Sequence, residues 1–108
     1  MRKESDIQRA ILDYLKARGI LAHKQAGLGI KGRAGVVWWK GGTNGISDIS
    51  GIMPGGRSLR IEVKTPEGRP TGEQLSYLAA AKDKGAMAFI ATSVEDVIRE
   101  LEAQGVKP

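Results

Sequence analysis

The chain has 108 residues, with 17 Lys and Arg against 12 Asp and Glu, a formal net charge of +5. That length supports one compact domain spanning 1–108 and no second core, and 41% hydrophobic with 27% charged residues excludes a disordered chain. No cysteine is present, which excludes disulfides, thiolate metal sites and cysteine nucleophiles; no apolar run nears the roughly 18 residues of a membrane span, and no signal peptide is visible, so a soluble cytoplasmic protein is expected.

In chain order, Ile7, Ile11 and Leu15, with Ala10 and Tyr14 beside them, recur at helical spacing up to Arg18, and Gly19 ends the run. Ser5 with Gln8 has the form of a capping box, which places the helix start near Asp6. Residues 20–25 follow as a short strand, 26–35 as a glycine-rich loop and 36–40 as a further strand, broken by Gly41-Gly42-Thr43-Asn44-Gly45. Strands over 46–52 and 59–64 flank Met53-Pro54-Gly55-Gly56-Arg57-Ser58, a hairpin connection. In the second of them Leu59, Ile61 and Val63 face one way, and Arg60, Glu62 and Lys64 the other. Thr71 with Gln74 is a second capping box, opening a helix that stops at Gly85. The apolar run 86–91 is a buried strand, and Ser93 with Asp96 caps a last helix striped with Val94, Val97, Ile98 and Leu101. Helices around a mixed sheet make an α/β fold.

The basic excess is one-sided. Between Asp13 and Asp48 no acid occurs, while Lys16, Arg18, Lys24, Lys31, Arg33 and Lys40 all do. Such a segment points to a polyanion, nucleic acid before lipid, since it is glycine-rich and not an amphipathic helix; a solvated basic loop is the plainer alternative.

Several apparent motifs fail. Gly27-Leu28-Gly29-Ile30-Lys31-Gly32 fits G-x-G-x-x-G, but a loop and strand follow where a dinucleotide site needs a helix. His23 is the only histidine, which excludes a multi-histidine metal site and makes a surface or packing role the expectation. Trp38 and Trp39, adjacent on a strand, face opposite ways. One fits the core, and the other an interface or a stacked nucleobase.

Asp48, Glu62 and Lys64 stand apart. Strands joined by a short connection lie about 4.8 Å apart, so Asp48 and Glu62 can converge on one hard divalent cation. Val63, its side chain turned inward, leaves a backbone carbonyl as a further ligand, and Lys64 shares the face of Glu62, placed to orient an attacking water. Taken singly, E-x-K on an alternating strand is usually a solvated face, Asp48 a turn residue and Gln74 a capping residue. Their joint order is more specific.

From Gly45-Ile46-Ser47-Asp48 through Ile61-Glu62-Val63-Lys64-Thr65 to Gln74, the chain resembles the virus-type replication-repair nuclease (VRR-NUC) domain, a branch of the PD-(D/E)xK nuclease superfamily. The resemblance covers nearly the whole chain, from the Glu4-bearing segment to the last helix. It implies a restriction-endonuclease-like α-β-β-β-α-β core with a C-terminal helix, and metal-dependent hydrolysis of phosphodiesters in branched DNA. It further implies one or two Mg²⁺ (or Mn²⁺) ions held by Asp48, Glu62 and the Val63 carbonyl, with Lys64 as catalytic lysine and Gln74 as the helix glutamine. Glu4 matches the acidic residue near the start of the first helix. The proline usual before the first aspartate is replaced by Ser47, a position that supplies backbone shape.

Lys24, Lys31, Arg33 and Lys40 are the expected DNA contacts. Two symmetric cuts in a four-way junction require two sites, so a homodimer of the compact phage type is expected, in a bacterial or infected-host cytoplasm. The alternatives are a monomeric flap or nicking nuclease, a non-catalytic DNA-binding module and a sequence-reading restriction-type endonuclease.

Overall fold

The computed structural model describes residues 3–25 and 47–106. Over these the chain forms α1 (Glu4–Ala17), β1 (Leu21–Lys24), β2 (Ile49–Ile52), β3 (Ser58–Val63), α2 (Gly72–Asp83), β4 (Met87–Ala91) and α3 (Val94–Ala103). This is the expected α/β order, α-β-β-β-α-β followed by a helix. The expected glycine-rich loop and the strand over 36–40 lie outside the described residues.

The sheet runs β1-β2-β3-β4. β1 and β2 are antiparallel, as are β2 and β3, which form the expected hairpin. β4 joins β3 in parallel, so the chain must cross over between them, and α2 is that crossover. Gly51 lets β1 approach β2 closely: a Cβ there would stand 2.8 Å from the Leu21 carbonyl oxygen and 3.0 Å from the Ala22 Cβ.

Alternation decides which face is buried. Leu59, Ile61 and Val63 of β3 join Ile49, Phe89 and Ala91 in a core against Ile7, Ile11 and Leu15 of α1 and Val97 and Leu101 of α3. The opposite face of β3 carries Ser58, Arg60 and Glu62, and α2 packs there against β3 and β4. α2 buries only Leu78, so it is held as much by its ends as by its face. At its C-terminus Gly85 adopts φ +101°, which lets the Ala86 N–H donate back to the Ala81 carbonyl (3.0 Å) and turns the chain into β4. Arg57 of the hairpin donates to the Gly85 carbonyl and to Gln104 Oε1, both at 2.8 Å, and so ties the hairpin to the ends of α2 and α3.

One expected cap does not form. α1 starts at Glu4, and Lys3 occupies the N-cap with extended backbone and no side-chain cap. The N–H groups of Asp6 and Ile7 donate to the Lys3 carbonyl instead of waiting for a serine hydroxyl. Glu4 and Asp6 in the first turn favour this earlier start through the helix dipole. The caps of α2 and α3 form as expected: Thr71 and Gln74 make a full capping box, and Ser93 accepts from the Asp96 N–H.

Ile11 is fully buried and Leu21 is 70% exposed. Ile11→Ala is therefore expected to cost about 2–5 kcal/mol in urea unfolding, whereas Leu21→Ala shifts stability by less than about 0.5 kcal/mol.

Candidate active site

The site forms where β2 begins and β3 ends. Ile49 pairs with Ile61, so one step further along the antiparallel register Asp48 stands opposite Glu62, with both side chains on one face. Asp48 lies in the bend just before β2, not inside the strand. Two hydrogen bonds lock that bend: the Gln25 N–H donates to the Asp48 carbonyl (2.7 Å), and the Val63 N–H donates to Asp48 Oδ2 (2.9 Å). The Asp48 carboxylate is thus anchored to the main chain between Glu62 and Lys64.

Glu62 is 2% exposed, an unusual burial for a carboxylate. Gln74 Nε2 donates to its Oε2 (2.7 Å), and Lys64 Nζ lies 3.6 Å from the same oxygen. Gln74 is oriented by its own cap. Its Oε1 accepts from the Thr71 N–H (2.8 Å) while its N–H donates to Thr71 Oγ1 (3.0 Å), which leaves Nε2 directed at Glu62. The capping role and the site role are therefore one arrangement, and the short loop from β3 to α2 sets the reach.

The other oxygen, Glu62 Oε1, is buried with no donor among the described residues. Asp48, the carboxylate opposite Glu62, is itself an acceptor unless a proton lies between the two carboxyl groups. Burial, then the Asp48 charge and a hydrogen bond shared with Asp48, push the Glu62 carboxyl up to about 8; Lys64 opposes this, and Glu4 adds slightly to the rise.

This donor set fits a hard divalent cation. Two adjacent carboxylates, one with an orphaned oxygen, are relieved by a positive charge between them. Among the described residues no three Asp, Glu, His or Cys side chains gather as a metal-holding group, so a cation here would rest on Asp48, Glu62, a main-chain oxygen and water.

The structure brings Asp48, Glu62, Val63, Lys64 and Gln74 together. Glu4 is exposed at the first position of α1, near enough for its charge to be felt at Glu62 but without a hydrogen bond to the pair. His23 and Lys24 are exposed on β1. Lys31, Arg33, Lys40, Trp38 and Trp39 lie outside the described residues. The sequence reading passed over Arg60, although strand alternation already placed it on the face of Glu62. Its Nε donates to Ser58 Oγ (3.0 Å) and its Nη1 to Ser50 Oγ (2.9 Å), while Ser50 donates to Gln25 Oε1 (2.9 Å).

A solved structure described as a VRR_NUC domain resembles this chain with a TM-score of 0.68 and 25% sequence identity, over 94% of this chain and 97% of that one. No family model matches the chain, and no curated protein matches it.

A carboxyl whose folded value lies above its unfolded one keeps its proton in the folded state after the unfolded state has lost it. Stability of the metal-free protein therefore falls as pH rises from about 4.5 to about 8. Urea unfolding in chelator across that range is expected to show this decline, and Glu62→Gln, which cannot ionise, is expected to flatten it. A wild-type curve as flat as that of the variant would contradict the placement of Glu62 against Asp48.

Proposed function

We propose that this chain, a VRR-NUC domain by its fold, is a divalent-metal-dependent endonuclease that hydrolyses phosphodiester bonds in branched DNA, with four-way junctions as its substrate. The observation that carries this reading is the buried Glu62 beside Asp48 with Lys64 on its flank. A module that only binds DNA gains nothing from two like charges held together out of water, which cost stability unless a cation joins them.

Asp48, Glu62 and the Val63 carbonyl would hold Mg²⁺ or Mn²⁺, one or two ions per site. The bound ion supplies a Lewis acid that polarises the scissile phosphate and makes water a stronger nucleophile. The Lys64 side chain is 13% exposed, with its Nζ 3.6 Å from Glu62 Oε2, where an ammonium orients the attacking water and offsets charge growing on the phosphate. Gln74 keeps Glu62 in its rotamer, and Val63 keeps Asp48 in place. Glu4 adds negative charge at the edge of the site. Lys24, exposed at the end of β1, together with Lys31, Arg33 and Lys40 neutralises phosphates of the DNA.

A pair of chains related by two-fold symmetry supplies the two cuts that resolving a junction needs. No helix among the described residues is long and apolar enough to cross a membrane.

The test is cleavage of an end-labelled four-way junction, a flap and a linear duplex in Mg²⁺ or EDTA, with light scattering of the same preparation. Junction cleavage in Mg²⁺ and none in EDTA is expected, along with the mass of a dimer. Asp48→Asn and Lys64→Ala are each expected to lower the rate by at least about 100-fold. Unimpaired cleavage by either variant would refute the site assignment, and a monomer would favour a flap or nicking substrate.

A further inference from the structure

Beyond the carboxylate pair, the same face of the sheet opens into a groove of about 520 Å³, between β3 with its hairpin and the C-terminal half of α2. Ser58 and Arg60 form one wall, Tyr77, Ala81 and Lys84 the other, and Arg57 lies at the end. Among the described residues three cations line it, and no carboxylate does. The groove lies farther back along β3 from the candidate site and shares no lining residue with it; α2, the crossover between two parallel strands, runs opposite to β3 there. Gln74 stands over Glu62, and the next turn of the helix brings Tyr77 level with Arg60, two residues back along the strand.

Each wall is prepared for a ligand. Ser58 and Ser50 hold the Arg60 guanidinium through Nε and Nη1, which fixes its plane, and no described residue takes its Nη2. No acidic side chain pairs with it among the described residues. A fixed, unpaired guanidinium on a surface otherwise lined with cations is the chemistry of a phosphate subsite. Tyr77 is half-buried, and its neighbours on the groove side are alanines, so a flat group has room to lie against the ring. The volume falls within the range of a site for one small molecule, which suits a single nucleotide.

We infer that this groove seats one unpaired nucleotide of the DNA strand next to the cleavage site, with Arg60 and Lys84 on its flanking phosphates and Tyr77 stacked on its base. This rests on the nuclease reading only for its position beside the cut; the binding itself needs no metal. Stacking on a side chain is tolerant of base identity, so the groove selects for an unpaired nucleotide and not for a sequence.

The experiment measures fluorescence anisotropy in EDTA, with a labelled oligothymidine and a hairpin duplex of equal nucleotide number. The proteins are wild type, Tyr77→Leu, Lys84→Ala and Arg60→Gln. Lys84 is exposed, so its variant reports on binding even where the Arg60 variant, which loses its bonds to two serines, folds poorly. Tyr77→Leu and Lys84→Ala are each expected to weaken oligothymidine binding roughly fivefold or more and hairpin binding by less than about twofold. Oligothymidine affinities equal to wild type in both variants would overturn the inference. Mg²⁺-dependent cleavage, assayed in parallel, separates the two readings. Wild type that binds as expected but never cleaves refutes the nuclease reading alone, and active protein whose variants bind unchanged refutes the groove alone.

Discussion

A buried glutamate facing an aspartate is the arrangement on which this molecule turns. Two carboxylates out of water repel each other, and the fold spends several of its features on holding them there. The register of β2 against β3 puts Asp48 opposite Glu62. The Val63 N–H fixes Asp48, and Gln74, locked by the cap of α2, fixes Glu62. Lys64 relieves part of the repulsion but sits at a distance that does not cancel it. What remains is a site with its negative charge preorganised and incompletely balanced, which is the condition for binding a hard cation tightly enough to use it.

The scaffold separates stability from chemistry by face. Apolar residues of β3 meet α1 and α3 on one side, and the polar and charged residues of the same strand meet α2 on the other. A single strand thus contributes both the centre of the core and the centre of the site. Because α2 buries little of itself, the sheet face beside it stays open, and the groove at Arg60 and Tyr77 is a consequence of that thin coverage.

Much of this was legible in the sequence. Period-two alternation in residues 59–64 separated the core face from the chemical face, and Thr71 with Gln74 announced the start of α2. The same capping logic failed at Ser5, because a cap signal competes with the helix dipole and with the register set by Ile7, and two acidic residues in the first turn outweighed one hydroxyl. Glu62 reads as a solvated residue by alternation alone. Its burial depends on α2 returning over β3, a tertiary contact that no local pattern encodes. Gln74 was readable as a capping residue or as a site residue, and only the geometry makes these the same role. Alternation put Arg60 on the face of Glu62 but gave it no role, because an arginine on an alternating strand is ordinarily solvent-facing; what sets it apart is its pair of serine partners, one of them on the neighbouring strand.

The central claim is that Asp48 and Glu62 together form a cation site. Titration of wild-type protein with Mn²⁺, followed by the loss of the free-ion electron paramagnetic resonance signal, tests it without relying on DNA or on turnover. Wild type and Glu4→Gln are expected to take up the ion, and Asp48→Asn and Glu62→Gln to lose that uptake while remaining folded. Uptake by Asp48→Asn and Glu62→Gln equal to that of wild type would contradict the claim.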